Sequence, residues 1–256
     1  LQSRRDLVCR LLLEKKNAHP DDEMGVSALL AKYASEGHDV YLACVTSGQK
    51  GYRAHFGMPP GDGLGKVREE ELRCAARQLG IHEPFLLGYQ DQGISSPPVV
   101  HEIAGRVREL FEKTRADVVI TGGPDGITGH VDHTATGAIV TLAFQQQGLL
   151  KHKPSKLYYV ALPESQILNV PDTLRRERPL YTVSERFITT EVDCREYFEA
   201  GLRAIECHRS QFSPERMQQF KEMNSRVFRD RVSLRLALST VPAPNGREDS
   251  ILAGLE

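Results

Sequence analysis

Short apolar runs alternate with amphipathic helical patterns over residues 1–160, and this alternation restricts the fold more than any other feature of the sequence. The apolar runs are typical of central strands in a parallel sheet, and they span residues 39–46, 84–87, 117–121 and 157–162. Gly37 and Gly80 stand where the first two helical patterns stop. Strand–helix alternation predicts βαβ units with right-handed crossovers. We therefore expect an α/β fold, a Rossmann-like, doubly wound, mostly parallel sheet with helices on both faces.

The pattern loosens after residue 163, where proline becomes frequent. We expect a strand within 187–192 and a helix within 194–208, whereas 226–239 fits a strand and a helix equally well. A chain of 256 residues suits one large domain or two small ones. We predict a single domain over 1–256, in which 1–162 form the Rossmann-like core. Residues 163–256 then form a C-terminal α+β extension that completes the pocket.

The charge balance excludes several classes of partner. Lys and Arg together number 33 and Asp and Glu 34, so the formal net charge is -1. A chain with this balance has no basic field that gathers nucleic acid. Its apolar runs also fall short of the ~18 residues that a membrane span requires. We expect no nucleic-acid partner and no membrane span, while a net charge near zero is compatible with a homo-oligomer.

The five cysteines are odd in number and widely spaced, without a C-x-x-C motif. This spacing predicts no disulfide framework and favours a reducing compartment. We therefore expect a cytoplasmic protein.

The glycine-rich segment 61–66 does not satisfy either common phosphate-binding motif. A dinucleotide fingerprint requires a glycine where Lys66 stands, and a P-loop requires Ser or Thr where Val67 stands. The sequence also lacks a G-x-S-x-G nucleophile elbow. Phosphate-loop NTPases, dinucleotide-dependent dehydrogenases and serine hydrolases are therefore excluded.

Two polar clusters follow predicted strands and open predicted helices: residues 18–23, AHPDDE, and residues 129–134, GHVDHT. Each cluster alone is explained by a helix N-terminus, where carboxylates complement the helix dipole. In a doubly wound sheet, however, both positions converge on the crevice at the carboxyl ends of the strands. Two histidines and a carboxylate meeting there predict a metal site with an open position. Zinc is the first choice, and Fe(II) is the alternative because it uses the same ligand set.

The motifs AHPDDE and HVDH resemble the two signatures of the PIG-L or LmbE-like family of zinc-dependent N-acetylglucosaminyl deacetylases, and the resemblance covers residues 18–211. It implies hydrolysis of the acetamide of an N-acetylglucosamine-type sugar or sugar conjugate, which releases acetate and a free amine. It also implies one Zn²⁺ per chain and a small-molecule amino-sugar substrate.

The resemblance assigns roles to individual residues of both motifs. It implies that the metal ligands are His19, Asp22 and His133, and that Asp21 is the general base. His130 matches the histidine that stabilises the oxyanion or protonates the leaving amine, and Asp132 matches the carboxylate that orients a neighbouring histidine. Weaker correspondences give a substrate-binding role to Arg68, Asp91 and His208.

The sequence departs from the family at two places. Glu14, Lys15 and Lys16 stand where an apolar strand precedes the first motif, and Thr128 stands where an aromatic hydroxyl often occurs. The loop 47–65 is long enough to form a lid over the pocket.

Three other functions remain as alternatives. They are an amidase that removes a larger acyl group, a non-hydrolytic Fe(II) enzyme with the same triad, and a binding protein without catalysis. The intact Asp21 argues against the last, because binding alone does not require a base.

Overall fold

The computed structural model describes residues 10–14, 19–168, 170, 180–227, 231–242 and 245–255. Its centre is a seven-stranded sheet with the order β3-β2-β1-β4-β5-β7-β6. The strands are β1 Arg10–Glu14, β2 Asp39–Thr46, β3 Phe85–Tyr89, β4 Val118–Gly122, β5 Lys156–Val160, β6 Thr190–Asp193 and β7 Arg231–Ser239. The first five strands of this order run parallel, whereas β7 is antiparallel to both β5 and β6.

Helices cover both faces of the sheet. They are α1 Ser27–Ser35, α2 Asp62–Leu79, α3 Pro97–Thr114, α4 Val131–Gln145, α5 Glu164–Ile167, α6 Phe198–Ile205 and α7 Pro214–Val227. Strand residues alternate between two buried clusters, so that Leu42 packs with α1, α2 and α6, while Val45 packs with α3 and α4. Burial of each such aliphatic side chain contributes about 1.5–3 kcal/mol. The two clusters therefore fix the helices to opposite faces of one sheet.

The predicted elements of the first half are found with small shifts at their ends. The run 39–46 is β2 without any shift, and the other three predicted strands begin or end within two residues of β3, β4 and β5. Gly80 ends α2 with φ of 70°, and Gly37 follows α1 with φ of 89°. Glycine adopts these left-handed conformations without strain because it has no Cβ.

Pairing between strands decides the secondary structure of the second half. The undecided segment 226–239 contains β7, because Arg231–Ser239 pairs with β5 on one side and β6 on the other. The strand expected within 187–192 is β6, Thr190–Asp193, and the helix expected within 194–208 is α6. Glu14 is the last residue of β1, while Lys15 and Lys16 lie outside the described residues.

The prediction that the cysteines form no disulfide is wrong. Cys74 on α2 and Cys207 after α6 are joined by a disulfide, with their Cα atoms 5.8 Å apart across a sequence separation of 133 residues. Cysteine spacing could not reveal this bond, because it depends on α2 and α6 packing side by side. The cysteine argument for a reducing compartment, and with it for a cytoplasmic protein, is thereby lost. Within the described part of the chain, no helix has both the length and the apolar character needed to cross a bilayer.

A buried polar cluster attaches the segment 245–255 to the sheet. Glu248 accepts hydrogen bonds from Lys156 Nζ at 2.5 Å, Tyr158 at 2.5 Å and Thr190 at 2.6 Å. Lys156 is 0% exposed. Burial and the adjacent Glu248 raise the pKa of the Tyr158 hydroxyl, so this hydroxyl stays protonated and donates.

We predict that Glu248→Ala destabilises the fold by about 3–5 kcal/mol, because it leaves the Lys156 ammonium buried without its partner. Urea unfolding measures this loss. Glu36→Ala, which breaks the more exposed Lys32–Glu36 pair at 2.6 Å, is the matched control and should cost at most about 1 kcal/mol. Equal losses in the two variants would show that the cluster does not hold the segment.

Candidate metal centre

The polar residues of both motifs meet at the carboxyl ends of the parallel strands. The segment 19–23 follows β1, the segment 126–133 follows β4, and Asp91 follows β3. Because β1 pairs with β4 in parallel register from Leu11↔Val118 to Glu14↔Thr121, the two motifs leave the sheet at the same edge. The convergence expected at a crevice of this kind is observed.

Three potential ligand atoms lie at the separations that a tetrahedral metal site requires. Asp22 Oδ2 is 3.1 Å from His133 Nε2 and 3.4 Å from His19 Nδ1. The two nitrogens are 3.3 Å apart. Ligand bonds of about 2.0–2.1 Å at tetrahedral angles place ligand atoms roughly 3.3–3.4 Å from one another. His19, Asp22 and His133 therefore fit a zinc-sized cation.

His133 is held in one orientation by the loop that precedes α4. Its Nδ1 lies 3.2 Å from the Gly126 carbonyl oxygen and 2.8 Å from Thr128 Oγ1. Because a carbonyl oxygen only accepts, Nδ1 carries the proton and Nε2 keeps its lone pair for the centre. Gly126 has φ of 64°, and a Cβ there would lie 2.7 Å from Thr134 Oγ1. The loop therefore requires glycine at this position.

Carboxylates surround His19 and give the centre a strong demand for positive charge. His19 Nε2 lies 3.1 Å from Asp91 Oδ1 and 3.6 Å from Asp132 Oδ2. Burial lowers the pKa of His19, but hydrogen bonds to Asp132, Asp22 and Asp91 outweigh burial and raise it to about 11. Burial raises the pKa of Asp22, but the neighbouring histidines outweigh burial and hold this pKa well below its usual range. A divalent cation would neutralise the same carboxylates that protonated His19 otherwise neutralises.

His130 lies close to His19 and His133, and the three histidines present nitrogen atoms within 4.8 Å of one another. The ring centroid of His130 is 4.6 Å from that of His19 and 5.2 Å from that of His133. Its Nδ1 accepts a hydrogen bond from the Asp132 amide at 3.2 Å and caps α4. Burial, together with charge on His19 and His133, lowers the pKa of His130. A neutral His130 with Nδ1 accepting has its proton on Nε2, which makes it a hydrogen-bond donor in the cleft.

Asp21 is paired with Arg68 immediately beside Asp22. Arg68 Nη2 donates to Asp21 Oδ1, and Arg68 Nη1 donates to the Gly48 carbonyl at 2.7 Å. Burial raises the pKa of Asp21, but the Arg68 charge outweighs it, and the pKa is lowered. Asp21 is therefore an ionised carboxylate that can accept a proton.

The loop after β2 packs directly on the Arg68 guanidinium. A Cβ on Gly48 would lie 2.0 Å from Arg68 Nη1, and one on Gly51 would lie 2.2 Å from the same atom. Gly51 N donates to Gly48 O at 3.0 Å, which closes the turn. The absence of side chains at both positions is what lets the loop and Arg68 share this space.

Of the remaining predicted residues, Asp91 lines the cleft, whereas Asp132 and His208 do not. Asp91 lines the cleft, accepts from Lys50 N at 3.1 Å and contacts His19. Asp132 is fully buried and accepts from Gln92 N at 2.6 Å, besides lying near His19. His208 is also fully buried, and its Nε2 lies 2.6 Å from Glu23 Oε1. His208 does not line the cleft, but it pairs with Glu23, and its charge helps to lower the pKa of Asp21.

The centre opens into a cleft of about 400 Å³, within the size range of small-molecule sites. Besides the predicted residues other than Asp132 and His208, it is lined by Lys50, Gly51, Arg53, Gln92, Thr128, Gly129 and Gln211. Lys50, Gly51 and Arg53 belong to the loop 47–65, which the sequence predicts to be long enough for a lid. The sequence does not predict a site role for Gln211, and its one signal is its place in the segment HRSQ, three residues after His208.

Known proteins resemble this chain over most of its length. The model of the PIG-L family, described as GlcNAc-PI de-N-acetylase, matches residues 17–144. A 1D-myo-inositol 2-acetamido-2-deoxy-alpha-D-glucopyranoside deacetylase of Rhodococcus opacus is 30% identical, over 79% of this chain and 81% of its own. A deacetylase of the same description from Thermobifida fusca is 29% identical, over 79% and 83% of the two chains.

A solved structure shares the fold. The N,N'-diacetylchitobiose deacetylase of Pyrococcus horikoshii superposes with a TM-score of 0.68 at 20% identity, covering 90% of this chain and 84% of its own. An identity this low shows the fold alone. It establishes a mixed α/β architecture of the kind found in that deacetylase.

We predict that the purified protein binds about one divalent metal ion per chain and that His133→Ala brings this stoichiometry close to zero. Elemental analysis after gel filtration measures the metal content. His82→Ala is the matched control, because His82 is an exposed histidine that pairs with Asp39 away from the centre. Full metal content in His133→Ala would show that His133 is not a ligand.

Proposed function

Because the chain belongs to the PIG-L family, we propose that it is a metal-dependent N-deacetylase of an N-acetylglucosamine-type sugar or sugar conjugate. The reaction adds water to the acetamide and releases acetate and a free amine. One observation carries the proposal: His19, Asp22 and His133 present ligand atoms 3.1–3.4 Å apart, with the ionised Asp21 next to them. The deacetylases that resemble this chain support the same class of substrate.

A zinc ion held by His19, Asp22 and His133 would lower the pKa of a bound water and polarise the acetamide carbonyl. We propose zinc because two nitrogens and one carboxylate oxygen at these separations suit its tetrahedral preference. Fe(II) accepts the same donors and stays the alternative.

Asp21 accepts the proton of the attacking water, since it lies beside the ligand set and is ionised. Arg68 keeps that carboxylate charged and fixes its direction through the Nη2–Oδ1 hydrogen bond. His130 faces the cleft and donates from Nε2 to the developing oxyanion or to the leaving nitrogen. Asp132 holds both Gln92 and His19 in place.

Asp91 is placed to bind a substrate hydroxyl. Its backbone N–H donates to Gln49 Oε1 at 3.2 Å, and its carboxylate accepts from Lys50 N. These bonds hold the Asp91 carboxylate at the cleft wall, where hydrogen bonds to His19 and Lys50 N lower its pKa to about 2, against the effect of burial. An ionised carboxylate accepts hydrogen bonds only, which suits recognition of sugar hydroxyl groups.

We also propose the domain organisation expected from the sequence, one domain over 1–256 with a Rossmann-like core in 1–162. The parallel strand order β3-β2-β1-β4-β5 supports the core. Gln211, which lies in 163–256 and lines the cleft, supports the view that the second half completes the pocket.

We predict that Asp21→Asn lowers kcat by about 10²–10⁴-fold, the usual contribution of a general base, while the metal content stays unchanged. Release of acetate and of free amine from a panel of N-acetylglucosamine derivatives measures turnover. Asp193→Asn is the control, because Asp193 is an exposed carboxylate that pairs with Arg195. Unchanged turnover in Asp21→Asn would contradict the proposed base. A panel member with a longer acyl chain that reacts faster than the acetyl compound would favour the amidase alternative.

We further predict that Gly51→Ala lowers kcat/KM by about 10²-fold, because its methyl group displaces the Arg68 guanidinium from Asp21 and misplaces the base. Steady-state kinetics measure the loss. Gly63→Ala is the matched control, since a Cβ at Gly63 meets nothing within 4 Å. Equal activity in the two variants would show that Asp21 does not depend on Arg68.

A further inference from the structure

The segment 207–211, which follows α6, contacts three parts of the active site. His208 Nε2 lies 2.6 Å from Glu23 Oε1. Ser210 donates from its backbone N and its Oγ to the Glu71 carboxylate, both at 2.6 Å. Gln211 Nε2 donates to the Gly51 carbonyl at 3.0 Å. One short segment therefore connects the first motif, helix α2 and the loop after β2.

Each residue contacted by this segment is itself adjacent to a residue of the proposed chemistry, through the chain, along a helix or by packing. Glu23 follows the ligand Asp22 directly in the chain. Glu71 lies one helical turn after Arg68 on α2, and Gly51 packs on the Arg68 guanidinium. A shift of the segment 207–211 would therefore reach both the ligand set and the Asp21–Arg68 pair.

The buried contacts have little capacity to adjust to such a shift. Glu23 Oε2 and His208 Nδ1 are buried and have no hydrogen-bond partner among the described residues. A buried pair with unpaired second atoms has no alternative hydrogen bonds to replace those it loses, and a lost bond costs the full desolvation of each group. The alignment of Glu23 thus depends on what holds His208 in place.

The Cys74–Cys207 disulfide joins this segment to α2 at the residue before His208. Cys74 lies three residues after Glu71, so α2 holds the segment twice, through Glu71–Ser210 and through the disulfide. We propose that this disulfide is a positioning crosslink of the metal centre, so that opening it weakens metal retention and turnover. The part of this inference that concerns turnover rests on the proposed function, whereas the part that concerns metal retention does not.

A reductant can reach the bond. Both cysteines line an open surface groove, together with Phe56, Lys66 and Arg209 among others. A water-soluble phosphine attacks one sulfur, and hydrolysis then gives the phosphine oxide and two thiols. The disulfide gains two electrons from phosphorus, and the two thiol protons and the oxide oxygen come from water. A phosphine is preferred to a dithiol, because dithiols bind zinc and would remove it directly.

The experiment compares wild type with the double variant Cys74→Ser/Cys207→Ser, with Cys194→Ala as the matched control. Cys194 is a buried free cysteine that precedes α6 in the chain and takes no part in the crosslink. Mass analysis of a non-reducing digest establishes the bond in wild type, where the peptides that contain Cys74 and Cys207 should appear linked. Phosphine treatment should separate them.

The decisive readout is metal retention against a chelator, measured at least 20 °C below the melting temperature of every variant. We expect about 10-fold weaker retention and about 10-fold lower kcat in the double variant and in reduced wild type, the lower end of what outer residues of metal sites contribute. The melting temperature should fall by roughly 5–15 °C. Reoxidation should restore wild type and leave the double variant unchanged, while Cys194→Ala should match wild type throughout.

Three outcomes would overturn the proposal. They are unlinked peptides in oxidised wild type, wild-type metal retention and kcat in the folded double variant, and equal losses in Cys194→Ala. A lower melting temperature with unchanged retention and kcat would make the disulfide a stabilising bond only. If no substrate releases acetate but retention still follows the disulfide, the proposed function fails and the crosslink stands.

Discussion

The parallel pairing of β1 with β2 on one side and β4 on the other is the constraint on which the site depends. Parallel strands place their carboxyl ends at one edge of the sheet, and the chain must leave every strand there before it enters a helix. His19 and His133 are 114 residues apart in the chain, yet their ring nitrogens lie 3.3 Å from each other. Their proximity is a consequence of strand pairing and does not require a separate fold element.

Negative charge is the second organising feature of the site. Asp22, Asp91 and Asp132 all approach His19, and without a cation they can only be balanced by protonated histidine. Arg68 performs the corresponding role for Asp21. The centre therefore has two parts. The carboxylates around His19 require a cation, whereas Asp21 is already neutralised by the Arg68 guanidinium. This division separates the proposed metal ligand Asp22 from the proposed base Asp21, although the two are consecutive in sequence.

Residues of the second half of the chain contact and position residues next to the centre. Gln211 lines the cleft, while His208 and Ser210 hold Glu23 and Glu71. The disulfide ties the same segment to α2, and Glu248 attaches the segment 245–255 to the sheet through Lys156. Buried pairs of this kind contribute little net stability, but breaking one is costly. Their value here is that they fix the position of residues that contact the site.

The sequence alone determined the strand–helix alternation, the edge at which the motifs meet and the identity of His19, Asp21, Asp22, His130 and His133 as the residues gathered there. These features follow from local hydrophobic periodicity and from motifs within a few consecutive residues. Only the tertiary structure decided that β7 is a strand, that Cys74 and Cys207 form a disulfide, and that His208 faces Glu23 and not the cleft. Each of these depends on contacts between distant segments, and local pattern carries no information about them. The pairing of Arg68 with Asp21 belongs to the same group, because a helix residue finds its partner only after the loop 47–65 has packed against it.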